Sequence, residues 1–112
     1  MRAKSLKTVV KFMDAWVSGR TAKMFKKTQM TWKSENKESD LEELFEGLKL
    51  ESYEIIGSRS AGDCAMSVAV KMEINGETVV SAVNVIFETS AKTPDENGVP
   101  GVNPISVLKY KS

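Results

Sequence analysis

Residues 63–89 read DCAMSVAVKMEI, then Asn75-Gly76, then ETVVSAVNVIFET. Asn-Gly between two alternating apolar runs predicts a β-hairpin, because a type I′ turn needs positive φ at both central residues. With Asn75 and Gly76 as the loop, Ile74 opposes Glu77 and Met72 opposes Val79. One face then pairs Val70 with Ser81, Val68 with Val83, Met66 with Val85 and Cys64 with Phe87. The other pairs Glu73 with Thr78, Lys71 with Val80, Ala69 with Ala82, Ser67 with Asn84 and Ala65 with Ile86. A slip of one residue would carry the polar set into the core, so the pattern pins the register. The second face is polar near the turn but small or apolar further out, which suits contact with another surface.

Working outward, the 112 residues form one domain with room for a single core. Ser5–Ser18 is predicted as an amphipathic helix capped by Ser5. Leu6, Val9, Val10, Met13, Trp16 and Val17 lie on one face, Phe12 flanks it, and Gly19 ends the helix. Thr21 is expected to cap a second helix, Ala22 to about Thr28. The stretch from Gln29 to Asn36 reads as irregular. A third helix is expected from Ser39 or Asp40, with a capping box to Glu42 or Glu43. The period then changes to two, predicting a strand from Leu50 to about Arg59. After the hairpin, three prolines with Gly98 and Gly101 predict a long loop from Ser90 to Pro104, with a tight turn at 96–98. Ile105–Lys111 reads as a closing strand. Helices first and strands after give an α+β fold: three N-terminal helices on a curved, mostly antiparallel sheet of about four strands.

The chain contains no histidine. That removes Ser-His-Asp and Cys-His catalysis, histidine acid–base chemistry and ordinary zinc or haem ligation. Cys64, the single cysteine, lies on the apolar hairpin face and reads as a buried thiol. No cofactor or metal is implied. Residues 1–37 hold ten Lys and Arg against Asp14 and Glu35, while residues 38–56 hold seven acids against Lys49. The basic block reads either as solvated helix faces or as a surface for an anionic polymer. Nucleic acid is disfavoured, since no aromatic residues interleave with the cations. If Met1 is the native start, a cytoplasmic location is expected; if an export signal or lipid anchor has been trimmed, an extracytoplasmic, membrane-associated one.

The layout resembles the nuclear-transport-factor-two-like, cystatin-related superfamily of α+β cones. The resemblance rests on SLKTVVKFMDAWVSG, the turn Gly19-Arg20-Thr21, SDLEELFEGL, and the sheet segments YEII, DCAMSVAVKMEI and ETVVSAVNVIFE. The closing Gly101–Leu108 segment is similar to the end of small bacterial members of uncharacterised function, some of them lipoproteins or mobile-element proteins. The resemblance implies a conical cavity between the first helix and the concave sheet, and dimerisation through the sheet's outer face.

Three functional readings follow. The first is a non-catalytic dimeric module that binds a protein or a small apolar ligand. Its candidate pocket residues are Trp16, Trp32, Tyr53, Met66 and Phe87, and its candidate dimer face is Ala65, Ser67, Ala69, Ala82, Asn84 and Ile86. For each pocket residue the alternative is plain core filling, and Trp32 either plugs one end of the core or lines a pocket mouth. The second is an isomerase, dehydratase or cyclase with a carboxylate in the cone; Asp14 and Tyr53 are the residues whose loss would test it. The third is an accessory domain of an exported or cell-surface complex that binds anionic polymer through its basic helices.

Overall fold

A computed structural model of the chain describes residues 1–111. Four helices come first: α1 (Arg2–Val17), α2 (Thr21–Lys26), α3 (Met30–Glu35) and α4 (Glu38–Leu44). The strands β1 (Leu50–Ser60), β2 (Ala65–Ile74), β3 (Glu77–Ser90), β4 (Thr93–Pro94) and β5 (Val99–Val102) follow. A short helix α5 (Pro104–Val107) and a 3₁₀ turn (Lys109–Lys111) close the chain. The helices pack on one face of an open antiparallel sheet, so the α+β class stands as expected.

The β2–β3 hairpin has the register expected of it, from Ile74 opposite Glu77 to Ala65 opposite Ile86, and the Phe87 N–H donates to the Cys64 carbonyl. Asn75 and Gly76 have φ of 52° and 80°. Asn75 does more than accept the left-handed conformation. Its Oδ1 accepts from the Lys49 N–H at 2.9 Å and its Nδ2 donates to the Gly47 carbonyl at 2.9 Å, so the turn anchors the α4–β1 connection. The inner face carries Val68, Val70, Met72, Val83, Val85 and Phe87, all essentially without exposure. α1 lays Val9, Phe12, Met13 and Trp16 on it, and Phe45 closes the end, edge-on to Trp16 at 4.8 Å between ring centroids.

Several element boundaries differ from expectation. α1 begins at Arg2, and Ser5 is a buried interior residue whose Oγ donates to the Met1 carbonyl. Thr8 likewise donates to the Lys4 carbonyl. Because both hydroxyls are satisfied within the helix, they can face the sheet. The buried stripe is therefore rotated, and Val10 and Val17 are left exposed. The helix does end at Gly19, in a Schellman motif: the Gly19 N–H donates to the Trp16 carbonyl and the Arg20 N–H to that of Ala15. Arg20, not Thr21, flanks α2. The stretch read as irregular contains α3. α4 starts at Glu38, with the Asp40 carboxylate accepting from the Lys37 N–H at 2.7 Å. β1 carries irregularities between Leu50 and Ser52 and between Ile55 and Gly57. The first shifts the inward phase, so Tyr53 and Ile55 rather than Ser52 and Glu54 oppose the inner residues Met72 and Val70.

The largest departure is at the C-terminus. The expected strand Ile105–Lys111 is helical, because Asn103 Oδ1 accepts from the Ile105 and Ser106 N–H groups and Pro104 stands in the first helical turn. Val107 is buried there, but Ile105 is exposed. The strand lies instead within the expected loop. β4 pairs with β3 where β2 leaves off, while β5 takes the opposite edge of β3. Between them the chain turns at Asp95–Gly98 and crosses β3 at Glu88. A Cβ on Gly98 would lie 2.5 Å from the Glu88 backbone, so only glycine fits the crossing. The outer edge of β5 meets residues 27–29: Thr28 bridges Val102 in parallel, the Gln29 N–H donates to the Val102 carbonyl, and the Val102 N–H donates to that of Lys27.

Candidate functional site

The Schellman turn folds α2 back beside α1, and two helix faces with the same spacing meet across it. Lys11, Asp14, Ala15 and Ser18 come from α1 and its cap; Lys23, Lys26 and Lys27 come from α2 and its cap; Arg20 stands between. Together they line a hollow of about 390 Å³. Among the described residues, five cations therefore line one concavity with a single carboxylate. That carboxylate is already engaged, since Asp14 Oδ1 accepts from the Tyr53 hydroxyl at 2.6 Å. Lys33 stands at the edge of the group, its Nζ 3.4 Å from the Lys26 carbonyl. Burial, and then the nearby Lys27 charge, push its ammonium pKa down.

A second, larger groove of about 740 Å³ opens on the other side of the α1–α2 turn. Trp16, Met24, Leu41 and Phe45 floor it, and Glu42, Glu43 and Glu46 stand on its rim. The floor residues are almost wholly buried, and the Trp16 Nε1–H donates to the Leu48 carbonyl at 3.1 Å.

The five candidate pocket residues do not share one hollow. Trp16 floors the larger groove. Phe87 belongs to the central core, and Met66 is buried opposite Val85 on the same sheet face. Trp32, on α3, is half-buried with its ring edge-on to Phe25 at 6.4 Å. Tyr53 reaches across to α1 and bonds Asp14. Burial first, and the Asp14 hydrogen bond and charge after it, raise its pKa. A phenol held in its neutral form beside a carboxylate can donate a hydrogen bond, but it is no base at neutral pH.

The six candidate dimer-face residues do share a surface, the side of the sheet away from the helices. Ala82 is exposed, Ala65, Ala69, Asn84 and Ile86 are half-buried, and Ser67 is buried. Gly57, Arg59, Ser67, Ala69 and Ala82 line a shallow depression of about 180 Å³, and Val80 beside it is 52% exposed.

The hairpin pattern places one carboxylate, Glu88, on the less apolar face near a strand end, and the structure buries it. Glu88 is 2% exposed, and its carboxylate accepts from both the backbone N–H and the hydroxyl of Thr31 in the first turn of α3. It ties the helical layer to β3 at the point where the chain crosses the strand. Nothing in the local sequence signals a partner so far away in the chain.

Among the described residues, no cluster of three or more acidic, cysteine or histidine side chains is placed to hold a metal. No described helix is long and apolar enough to cross a membrane. Compared with protein-family models, curated proteins and solved structures, the chain matches none.

Proposed function

We propose that this protein is a non-catalytic binding domain of the nuclear-transport-factor-two-like kind that acts as a dimer through the outer face of its sheet. The observation that carries the reading is the uncovered patch around Ala82, where the small residues Gly57, Ala69 and Ala82 line a shallow depression beside exposed Val80. A face of small side chains suits a second sheet packed about 10 Å away. The same surface carries the cross-strand pair Glu54 and Lys71, with Arg59 opposite Ser67 and Glu73 opposite Ser52. In a two-fold interface, each cation of one copy can then face a carboxylate of the other. Three strands about 4.8 Å apart and ten residues long offer roughly 500 Å² per protomer. About 1,000 Å² in total is the lower limit for a specific interface, so the dimer is expected to be weak, roughly micromolar.

Sedimentation velocity over a concentration series tests this, comparing wild type with Ala82→Arg and using circular dichroism as the folding control. The expected result is a concentration-dependent dimer in wild type and a folded monomer in the variant. A wild type that stays monomeric at high protein concentration overturns the proposal, as does a variant that dimerises equally well.

A further inference from the structure

We infer that the hollow between α1 and α2 is a binding site for a compact polyphosphate group, soluble and recognised through its charge alone. The site is separate from the sheet face and does not depend on dimerisation. Lys11, Arg20, Lys23, Lys26 and Lys27 converge on one concavity from two helices at matching spacing, whereas solvated surface lysines ordinarily spread apart. The only carboxylate among them is bonded to Tyr53 and so is partly withdrawn from neutralising the group. Like charges lining one concavity repel one another. An anion seated among them relieves that repulsion and gains charge-assisted hydrogen bonds.

The shape and lining narrow the ligand. A volume of about 390 Å³ is near the small end of ligand pockets and concave on two sides, which favours a short multivalent anion over a long rod. Duplex nucleic acid would need an extended strip of cations. A single-stranded chain would need stacking surfaces, and among the described residues no aromatic side chain lines the hollow. The aliphatic stems of the lysines and Ala15 form the walls, with the ammonium groups free to follow the phosphate oxygens. The cations outnumber Asp14 by four, a balance that suits a di- or triphosphate better than a single phosphate. With no platform for a base, a nucleoside triphosphate and inorganic tripolyphosphate should bind alike.

Isothermal titration calorimetry of the whole chain tests this with four probes: sodium tripolyphosphate, adenosine triphosphate, orthophosphate, and phosphatidylcholine vesicles containing phosphatidylserine. One saturable site per chain is expected for the first two, with similar affinity, weakening as sodium chloride is raised. Orthophosphate and the vesicles should bind at least about tenfold more weakly, a difference of 1.4 kcal/mol. Lys23→Gln/Lys26→Gln changes two exposed side chains of the hollow and should weaken tripolyphosphate by about tenfold or more. Lys4→Gln/Lys7→Gln removes the same charge from exposed positions on α1 outside the hollow and should leave binding within about twofold. Equal losses in the two variants would reduce the effect to general surface charge and overturn the proposal. So would tight binding to the vesicles alone, or no saturable heat with tripolyphosphate.

Discussion

Gly101 provides the most demanding test of the packing. It sits buried in β5 opposite Ile86, pressed against the connection between α2 and α3. A Cβ at this position would lie 2.5 Å from Gln29 Cα, 2.8 Å from Gln29 N and 3.0 Å from the Thr28 carbonyl carbon. All three are backbone atoms, so no rotamer change can make room. In Gly101→Ala the strand or the 27–29 segment must move by most of an ångström. That displacement breaks the Gln29–Val102 and Val102–Lys27 backbone hydrogen bonds, now 2.9 and 2.8 Å long. Each is worth about 1 kcal/mol, and overpacking adds about 1–3, for a loss of about 3–5 kcal/mol. A domain of ordinary stability would be left close to its folding threshold. Gly57→Ala is the internal comparison, because nothing lies within 4 Å of its added Cβ and its φ is not positive; its change should stay within about 0.5 kcal/mol. Urea unfolding followed by circular dichroism, at a protein concentration low enough to keep both variants monomeric, measures the difference. Gly101→Ala should lower the midpoint by roughly 2 M. If the two variants unfold together, β5 does not lie against the α2–α3 connection as described.

Two further perturbations address polar links. Thr31→Val and Glu88→Gln should each destabilise the domain by about 1–3 kcal/mol, and a double-mutant cycle in urea should give a coupling of at least about 1 kcal/mol; additive losses would mean the two side chains do not meet. Tyr53 titrates above its ordinary value of about 10, so the fold favours the protonated phenol: its contribution is complete below that pH and fades as pH rises through the folded value. Following tyrosinate absorbance, Asp14→Asn should lower the pH at which Tyr53 ionises, while burial, the larger cause, keeps it above the ordinary value; an unchanged curve would remove Asp14 from the account.

The hairpin was legible because one dipeptide and one alternation specify turn, register and faces together. The class followed from it, since helices that precede such a sheet have one apolar surface to cover. Elsewhere local patterns competed. In Ile105–Lys111 an apolar alternation suggested a strand, but Asn103-Pro104 carries a cap and a preset φ, and in so short a segment the cap prevailed. Ser5 read as a cap because its type favours that position, whereas its hydroxyl is satisfied inside the helix and so can be buried. The tight approaches of Gly98 and Gly101 depend on chain crossings that no window of neighbouring residues encodes. For the basic hollow, the charges were visible as a block in residues 1–37. Their convergence was not, because it depends on the angle set by the Gly19 turn.

The bridge from Thr28 to Val102 joins the first third of the chain to its last tenth. On a ribosome adding about 5–20 residues per second, roughly seventy further residues must be made before β5 can reach the α2–α3 connection, a delay of about 4–15 s. Until then the side of that connection filled by β5 stays bare, and the edge of β3 that β5 will occupy is an open template for pairing. The interval from helices to closing strand is therefore when a nascent chain is most exposed to chaperone capture or to pairing with another copy. Slowing translation near Asp95–Val102 should lengthen it without altering the finished fold.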